Sequence, residues 1–130
     1  MEYAARSNMK RVYLELGGKS PNIIFADAPN LDEAATVAAA GIFRNAGQVC
    51  VAGSRLLVEA TIHDDFVAAV VKAAEAMRVG DPLDLNTTIG AVNSETQLVA
   101  NLGFVETAKS EGGNVVTGGG RILQDTGGYY

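Results

Sequence analysis

Two segments of the chain carry residues that could act together as a nucleophile and a base. Cys50, the only cysteine, lies within residues 44–55 (RNAGQVCVAGSR), on a turn bounded by glycines. Glu15 lies within residues 14–22 (LELGGKSPN), just before a glycine pair. A thiolate attacks carbonyl carbon readily, and a carboxylate can take a proton from water. The two residues are therefore a candidate catalytic pair.

Each of these residues also has a purely structural interpretation. A lone cysteine is most often a small buried apolar residue, and a glutamate in an alternating strand is most often solvated. Around Cys50, however, Gly47 and Gly53 allow a tight backbone path, and the small Ala52 leaves room for a substrate. Backbone N–H groups in such a turn can stabilise an oxyanion. We therefore expect Cys50 at the edge of a cleft, facing Glu15.

Other apparent motifs carry less weight. Gly18-Lys19-Ser20 resembles the end of a phosphate loop, but the glycine required five residues earlier is Tyr13, so this interpretation is excluded. No helical pattern follows the glycines at 118–120, and no G-x-G-x-x-G fingerprint occurs. His63 has no metal-binding or triad partners nearby in sequence and is expected at a helix start on the surface. No metal site is predicted.

Composition excludes several classes of function. The chain has 130 residues, a net charge of −5 and 48% hydrophobic residues, which indicates one domain with a core that buries roughly two-thirds of the unfolded surface. The negative charge argues against a nucleic-acid partner. No apolar stretch is long enough for a signal peptide or a membrane span, so no membrane partner is expected. A single cysteine suits a reducing compartment, and we expect a cytoplasmic protein.

The pattern around the two candidate residues predicts strands and one helix. Residues 11–16 alternate as a strand that ends beside Glu15, where open α/β sheets build their sites. Residues 22–26 have the continuous apolar run of a buried strand. Asn30 and Glu33 form a capping-box signal for an alanine-rich helix over residues 31–45, which Gly47 closes in a left-handed conformation.

The rest of the chain continues the alternation. We expect a strand over residues 55–59, an amphipathic helix over 62–77, a helix opened by Ser94 and Gln97, and a strand over 115–117. Phe66, Val70, Ala74 and Met77 form one stripe, of which Phe66, Val70 and Met77 are expected in the core. The second helix shows Leu98, Leu102 and Val105 at helical spacing. Such an order predicts an α/β fold, a parallel-rich sheet with covering helices.

The two motifs, in this order and separated by one helix, resemble the catalytic signatures of the aldehyde dehydrogenase superfamily. Glu15 matches the family's general base in E-L-G-G-K-S-P, and Cys50 matches its nucleophile in G-Q-x-C-x-A-G-S-R. Leu16 matches the residue whose backbone lies beside the nicotinamide, next to Gly17. The resemblance covers nearly the whole chain. Within the family, the motifs are most similar to those of enzymes that oxidise aminoaldehydes or a broad range of aldehydes.

The resemblance implies NAD(P)-dependent oxidation of a small aldehyde through a cysteine thiohemiacetal and thioester. It implies that residues 1–17 end the dinucleotide-binding domain and that residues 18–130 are a truncated part of the catalytic domain. The main NAD or NADP site, the side-chain oxyanion donor and the oligomerisation strand would then lie outside this chain. The parent protein is expected to be a homo-oligomer.

Two other functions remain open from the sequence. The chain could be a catalytically inactive truncated fragment that serves only as a structural or interaction piece, since the main cofactor site is expected elsewhere. It could also be a cysteine hydrolase or a redox-sensing thiol protein, but no plausible histidine partner or second cysteine is present. Cofactor binding would distinguish the first alternative from an active dehydrogenase.

Overall fold

The computed structural model describes all residues from Met1 to Tyr130. The regular elements, in chain order, are α1 (Glu2–Ala5), β1 (Pro21–Ile24), α2 (Leu31–Phe43), β2 (Arg55–Val58), α3 (His63–Glu75) and α4 (Glu95–Ser110). Short 3₁₀ turns lie at Arg44–Gly47, Ala60–Ile62 and Gln124–Thr126. The alternation of strands and helices confirms the predicted α/β class.

A strand–helix–strand unit forms the centre of the molecule. Strands β1 and β2 pair in parallel, with Pro21 opposite Arg55 and Ile24 opposite Val58. Parallel strands cannot be joined by a tight turn, and helix α2 supplies the crossover between them. The crossover returns the chain to the same end of the sheet, so the segments that precede β1 and β2 lie side by side. These are the segments that carry Glu15 and Cys50.

Helix α2 begins as the sequence predicts. The Asn30 side-chain oxygen accepts a hydrogen bond from the Glu33 backbone N–H at 3.1 Å, and the Asn30 amide donates to the Glu33 carboxylate at 3.2 Å. This reciprocal pair fixes the first turn. The helix packs on α3, and its buried residues are all alanines, namely Ala35, Ala38 and Ala39. Their short side chains allow the two helices to approach closely.

Helices α3 and α4 also follow the predicted patterns. Phe66 on α3 is buried, and the rest of its stripe, at 70, 74 and 77, is half-buried. The Ser94 hydroxyl oxygen accepts from the Gln97 N–H at 3.2 Å and caps α4, on which Leu98 is buried. Gly112 ends this helix with φ of +90°, a conformation that favours glycine.

Two predicted strands do not form. Residues 11–16 and 115–117 have no regular secondary structure, and the sheet contains β1 and β2 alone. A strand exists only when a neighbouring strand pairs with its backbone, and the structure provides none beside these two segments. Alternating apolar and polar residues indicate that a segment can form a strand, but the strand forms only where another strand lies beside it.

The predicted core is smaller than expected. Only 7 of 130 residues are buried, and the accessible surface is 9776 Å², against about 6,500 Å² for a compact monomer of this mass. The chain therefore buries about half of its unfolded surface rather than two-thirds. Residues 22–26 are not a fully buried strand, because Ile23 is 55% exposed and Phe25 is 62% exposed. Exposed and half-buried residues alternate along β1 and β2, so one face of the two-stranded sheet is uncovered.

None of the helices is long and apolar enough to cross a lipid bilayer.

Candidate active site

Cys50 follows a turn with unusual backbone geometry. Helix α2 ends at Phe43, two residues before the predicted end, and the chain enters a 3₁₀ turn. Within this turn Asn45, Ala46 and Gly47 have φ values of +53°, +55° and +74°. The left-handed conformation predicted for Gly47 is confirmed. Asparagine and glycine tolerate this region, whereas alanine adopts it rarely.

The turn is fixed by its own hydrogen bonds. The Asn45 side-chain amide donates to the Gln48 carbonyl at 3.1 Å, and the Gln48 N–H donates to the Asn45 carbonyl at 3.0 Å. Beyond the nucleophile candidate, the Ala52 N–H donates to the Val49 carbonyl at 3.1 Å, and Ala52 itself is buried. The Cys50 thiol between these anchors is exposed. Cys50 therefore lies at the surface of a cleft and not in the core, as predicted.

The backbone N–H of Cys50 has no acceptor within the protein. A backbone donor beside a nucleophile is free to bind an oxygen that becomes negatively charged during the reaction. The arrangement can thus supply one oxyanion donor from the nucleophile's own residue.

Glu15 lies in an exposed irregular segment rather than at the end of a strand. This corrects the predicted local structure, because residues 11–16 have no pairing partner. The segment is nevertheless tied to β2. The Arg55 guanidinium Nε donates to the Lys19 carbonyl at 2.9 Å, and the Arg55 N–H donates to the Ser20 carbonyl at 3.3 Å.

The two candidate segments meet at Gly18. The Gly18 backbone packs so closely on the Cys50 carbonyl group that a Cβ atom at position 18 would overlap the carbonyl oxygen. Only glycine allows one backbone to approach another in this way. This contact brings the Glu15 segment against the Cys50 turn.

The cleft between these segments has a volume of about 670 Å³, within the usual range for small-molecule sites. Its walls include all four residues that the sequence singled out, Glu15, Leu16, Gly17 and Cys50. The structure therefore brings Glu15 and Cys50 to one cleft, although 35 positions separate them in sequence. Their individual roles in catalysis stay predictions.

Two polar residues of the cleft were missed by the sequence analysis. Gln97 and Asn101, one turn apart on α4, line the same cleft, and the Gln97 side-chain amide donates to the Asn101 side-chain oxygen Oδ1 at 2.8 Å. Gln97 was recognised only as part of the Ser94 cap. The signal that could have found them is the i,i+4 spacing of two amides on one helix face.

The titratable groups with a displaced pKa lie outside the cleft. The Glu59 pKa is lowered, first by the hydrogen bond from the Ala26 N–H at 2.9 Å and then by the Thr61 hydroxyl at 2.8 Å. The Asp84 pKa is lowered, chiefly by the Asn86 backbone N–H. Glu59 and Asp84 therefore serve in local structure and not in the cleft.

No group of three metal-binding side chains occurs in the molecule.

His63 opens α3 on the surface, as predicted. Its ring Nδ1 lies 2.8 Å from the Asp64 carboxylate, and neither residue lines the cleft around Cys50. It therefore cannot serve as the general base for that thiol. This removes the histidine that a cysteine hydrolase would need.

The whole chain, residues 1–130, matches the model of the aldehyde dehydrogenase family. Among curated proteins, NADP/NAD-dependent aldehyde dehydrogenase PuuC of Escherichia coli is 49% identical over 109 residues, which are 84% of this chain and 22% of that protein. The chain spans between 13% and 24% of the length of the curated relatives that it matches.

Solved structures give the same assignment. A γ-glutamyl-γ-aminobutyraldehyde dehydrogenase from Burkholderia cenocepacia is 52% identical, with a TM-score of 0.92 over 100% of this chain and 26% of that one. An indole-3-acetaldehyde dehydrogenase solved with NAD⁺ is 51% identical, with the same TM-score and the same coverage of both chains. The likeness thus holds for the amino-acid sequence as well as for the fold.

Proposed function

Because the chain belongs to the aldehyde dehydrogenase family, we propose that it forms part of an enzyme that oxidises an aldehyde to a carboxylic acid with NAD or NADP. Cys50 is the nucleophile and Glu15 is the general base in this proposal. The observation that carries it is their common cleft, which also contains Leu16 and Gly17. The exposure of the Cys50 thiol supports the role of nucleophile.

The first half of the reaction uses Cys50. Its thiolate sulfur adds to the aldehyde carbon, a C–S bond forms, and the carbonyl π electrons move to the oxygen. The Cys50 backbone N–H, which has no acceptor in the protein, can hold this oxyanion. The resulting thiohemiacetal loses a hydride with its electron pair and becomes a thioester.

The second half uses Glu15. Its carboxylate removes a proton from water, the resulting hydroxide adds to the thioester carbon, and the C–S bond breaks. The products are the carboxylic acid and a regenerated Cys50 thiolate. The exposed, irregular segment around Glu15 allows its side chain to approach the thioester from the cleft.

NAD or NADP supplies the hydride acceptor when bound. The residues present fit one end of such a cofactor, because the cleft of about 670 Å³ has Leu16 and Gly17 in its wall beside Cys50, and a Cβ at Gly17 would meet no atom within 4 Å. These two residues would border the nicotinamide. The sequence has no G-x-G-x-x-G loop for the pyrophosphate, so that part of the cofactor requires other residues.

The sparse core supports a further part of the proposal. Large apolar side chains are exposed on several elements, among them Leu16, Ile23, Phe25, Leu57 and Phe104. Apolar surface on this scale is typical of faces that pack against more protein. We therefore propose that these faces contact further domains of the same enzyme and other subunits of a homo-oligomer, and that residues 1–17 belong with the dinucleotide-binding domain.

The same sparse core favours the alternative for the chain taken by itself. A 130-residue polypeptide with 7 buried residues holds the reacting groups less rigidly than a full enzyme. In isolation it would then be a catalytically inactive piece. This alternative and the main proposal describe different forms of the protein, and cofactor binding distinguishes them.

The aldehyde is selected, in our proposal, outside the residues of this chain. Two proteins named for chemically different aldehydes, a γ-glutamyl-γ-aminobutyraldehyde and indole-3-acetaldehyde, are 52% and 51% identical to it. Near-equal identity to both agrees with a segment that enzymes for different aldehydes share. Residues 1–130 would then carry the chemistry common to both.

A chimaeric enzyme tests the proposed function. This chain aligns over its whole length with 26% of the indole-3-acetaldehyde dehydrogenase. That segment of the enzyme is replaced by residues 1–130. We expect aldehyde-dependent formation of NADH, followed by its absorbance, and complete loss of it in the Cys50→Ala chimaera. A folded chimaera without turnover, or one in which Cys50→Ala remains active, would contradict the proposal.

A further inference from the structure

We propose that Gly18 is the positioning residue of this site: its missing side chain lets the Glu15 segment rest directly on the Cys50 carbonyl and so fixes the base relative to the nucleophile. The inference rests on the proposed function for the roles of Cys50 and Glu15. It adds a residue that touches neither reacting atom and acts through the backbone of the nucleophile.

The contact at Gly18 is specific to this glycine. A Cβ built at position 18 would overlap the Cys50 carbonyl oxygen and would lie 3.3 Å from the Cys50 carbonyl carbon. A Cβ at the neighbouring Gly17 would meet nothing within 4 Å. The φ of Gly18 lies outside the left-handed region, so an alanine could adopt its backbone conformation. The obstacle to a side chain is the Cys50 peptide alone.

The obstacle cannot be removed by a side-chain movement. The two atoms that a Cβ would crowd belong to the backbone of Cys50, whereas the Ser20 hydroxyl, at 3.9 Å, would be in ordinary contact. A backbone group moves only with its turn. On one side the turn is held by the hydrogen bonds of Asn45 with Gln48, and on the other by the burial of Ala52. The Gly18 segment, which is exposed, is the partner that would move away.

A displacement at Gly18 would reach Glu15 directly. Only three positions separate the two residues, so a displacement of the Gly18 backbone is passed to Glu15 along a short stretch of chain. The next anchor lies at Lys19 and Ser20, whose carbonyls bind Arg55. A side chain at position 18 therefore pivots the Glu15 end of the segment about this anchor and widens the cleft.

Two alkylating reagents measure the separation of Glu15 from Cys50 in the 130-residue chain. Iodoacetamide is neutral and iodoacetate is negative, and both react with the thiolate, so the ratio of their rates is independent of the fraction ionised. A carboxylate close to the thiol repels iodoacetate but not iodoacetamide, so it slows iodoacetate more. We expect Glu15→Gln to lower the ratio of iodoacetamide to iodoacetate rates by about threefold, and Gly18→Ala to lower it nearly as far.

The double variant and a matched glycine complete the experiment. In the Gly18→Ala chain, adding Glu15→Gln should change the ratio little further, since the charge has already moved away. Gly103→Ala, on the open face of α4 with no atom within 4 Å of its Cβ, should keep the wild-type ratio. Circular dichroism checks that each variant is folded.

The outcomes separate this inference from the proposed function. A Gly18→Ala chain that keeps the wild-type ratio, while Glu15→Gln lowers it, overturns the positioning role alone. A ratio that Glu15→Gln does not change overturns both the positioning role and the catalytic pair. If Gly18→Ala unfolds the isolated chain, the chimaera decides: the positioning role requires a lower kcat with little change in the KM for NAD, and an unchanged kcat overturns it.

Discussion

The guanidinium Nε of Arg55 donates a hydrogen bond to the backbone carbonyl of Lys19 at 2.9 Å. Arg55 is the first residue of β2, five positions after Cys50, and Lys19 follows the glycine pair after Glu15. One side chain thus ties the strand that follows Cys50 to the segment that carries Glu15. No hydrogen bond joins the Cys50 and Glu15 side chains themselves.

Removal of this bond should lower activity more than stability. In the chimaera we expect Arg55→Met, which keeps the apolar stem, to reduce kcat/KM by about ten- to a hundredfold because the Glu15 segment shifts. The free energy of unfolding should fall by only about 1 kcal/mol. Arg44→Met, at an exposed arginine of the preceding turn, is the control. Equal losses from both substitutions would show that only surface charge matters.

The two reacting residues should fail at different steps. Glu15→Gln removes the base for thioester hydrolysis, so we expect steady-state turnover of the chimaera to drop about 10²- to 10⁴-fold. The first turnover should persist as a rapid burst of NADH, because Cys50 still forms the thioester. Cys50→Ala should abolish both phases. Stopped-flow absorbance separates them, and loss of the burst in Glu15→Gln would argue against a role confined to hydrolysis.

The 130-residue polypeptide by itself should not oxidise aldehydes. Hydride transfer needs the nicotinamide held against the thiohemiacetal carbon, and much of the rate comes from that positioning. The chain offers only the cleft around Leu16 and Gly17 for this purpose. Weak hydrolysis of an activated ester should remain, since it needs only Cys50 and its N–H. Robust NADH formation by the pure chain, abolished by Cys50→Ala, would refute this expectation.

Stability should depend on pH through Glu59. Its pKa is lower in the folded chain because the Ala26 N–H and the Thr61 hydroxyl bind the ionised form. A lowered pKa means that the stabilisation is present above the unfolded-state pKa and is lost as the pH falls through the folded-state pKa. Urea unfolding of the chain across the acidic range should therefore show a loss that is smaller in Glu59→Gln. Asp84, whose pKa is lowered by Asn86, is present in both proteins and accounts for the pH dependence of stability that remains in Glu59→Gln.

The cap of α4 should contribute to both stability and the cleft. Ser94→Ala removes the acceptor of the Gln97 N–H, and we expect a loss of about 1 kcal/mol in urea unfolding. Because Gln97 lines the cleft, the KM for NAD in the chimaera should also rise. Thr96→Ala, at an exposed position in the same first turn, is the control. A Ser94→Ala protein as stable as the control would refute the capping role.

Local signals in the sequence were sufficient for the starts of α2 and α4. The Asn30 and Ser94 caps, and the left-handed Gly47, follow from interactions within a few residues. Such interactions depend on the chain alone. The parallel pairing of β1 and β2 also followed, because two apolar segments joined by a helix have few other ways to pair.

The features that depend on distant neighbours were not predictable in the same way. Residues 11–16 alternate like a strand but find no partner, and Ile23 and Phe25 remain exposed because one face of the sheet is uncovered. The Gly18 contact with Cys50 and the position of Gln97 in the cleft arise from tertiary packing. The sequence motifs pointed to Glu15 and Cys50 as candidate site residues. The contacts that position these two residues could be seen only in the structure.

The large accessible surface of 9776 Å² has a calorimetric consequence. The heat capacity change of unfolding scales with the surface newly exposed, and this chain exposes about three-quarters of what a compact domain of its mass would. The enthalpy of unfolding should be small for the same reason, and a small enthalpy spreads the transition over a wide temperature range. In the chimaera, where we propose that neighbouring protein covers Ile23 and Phe25, the same residues should melt within a sharper cooperative transition.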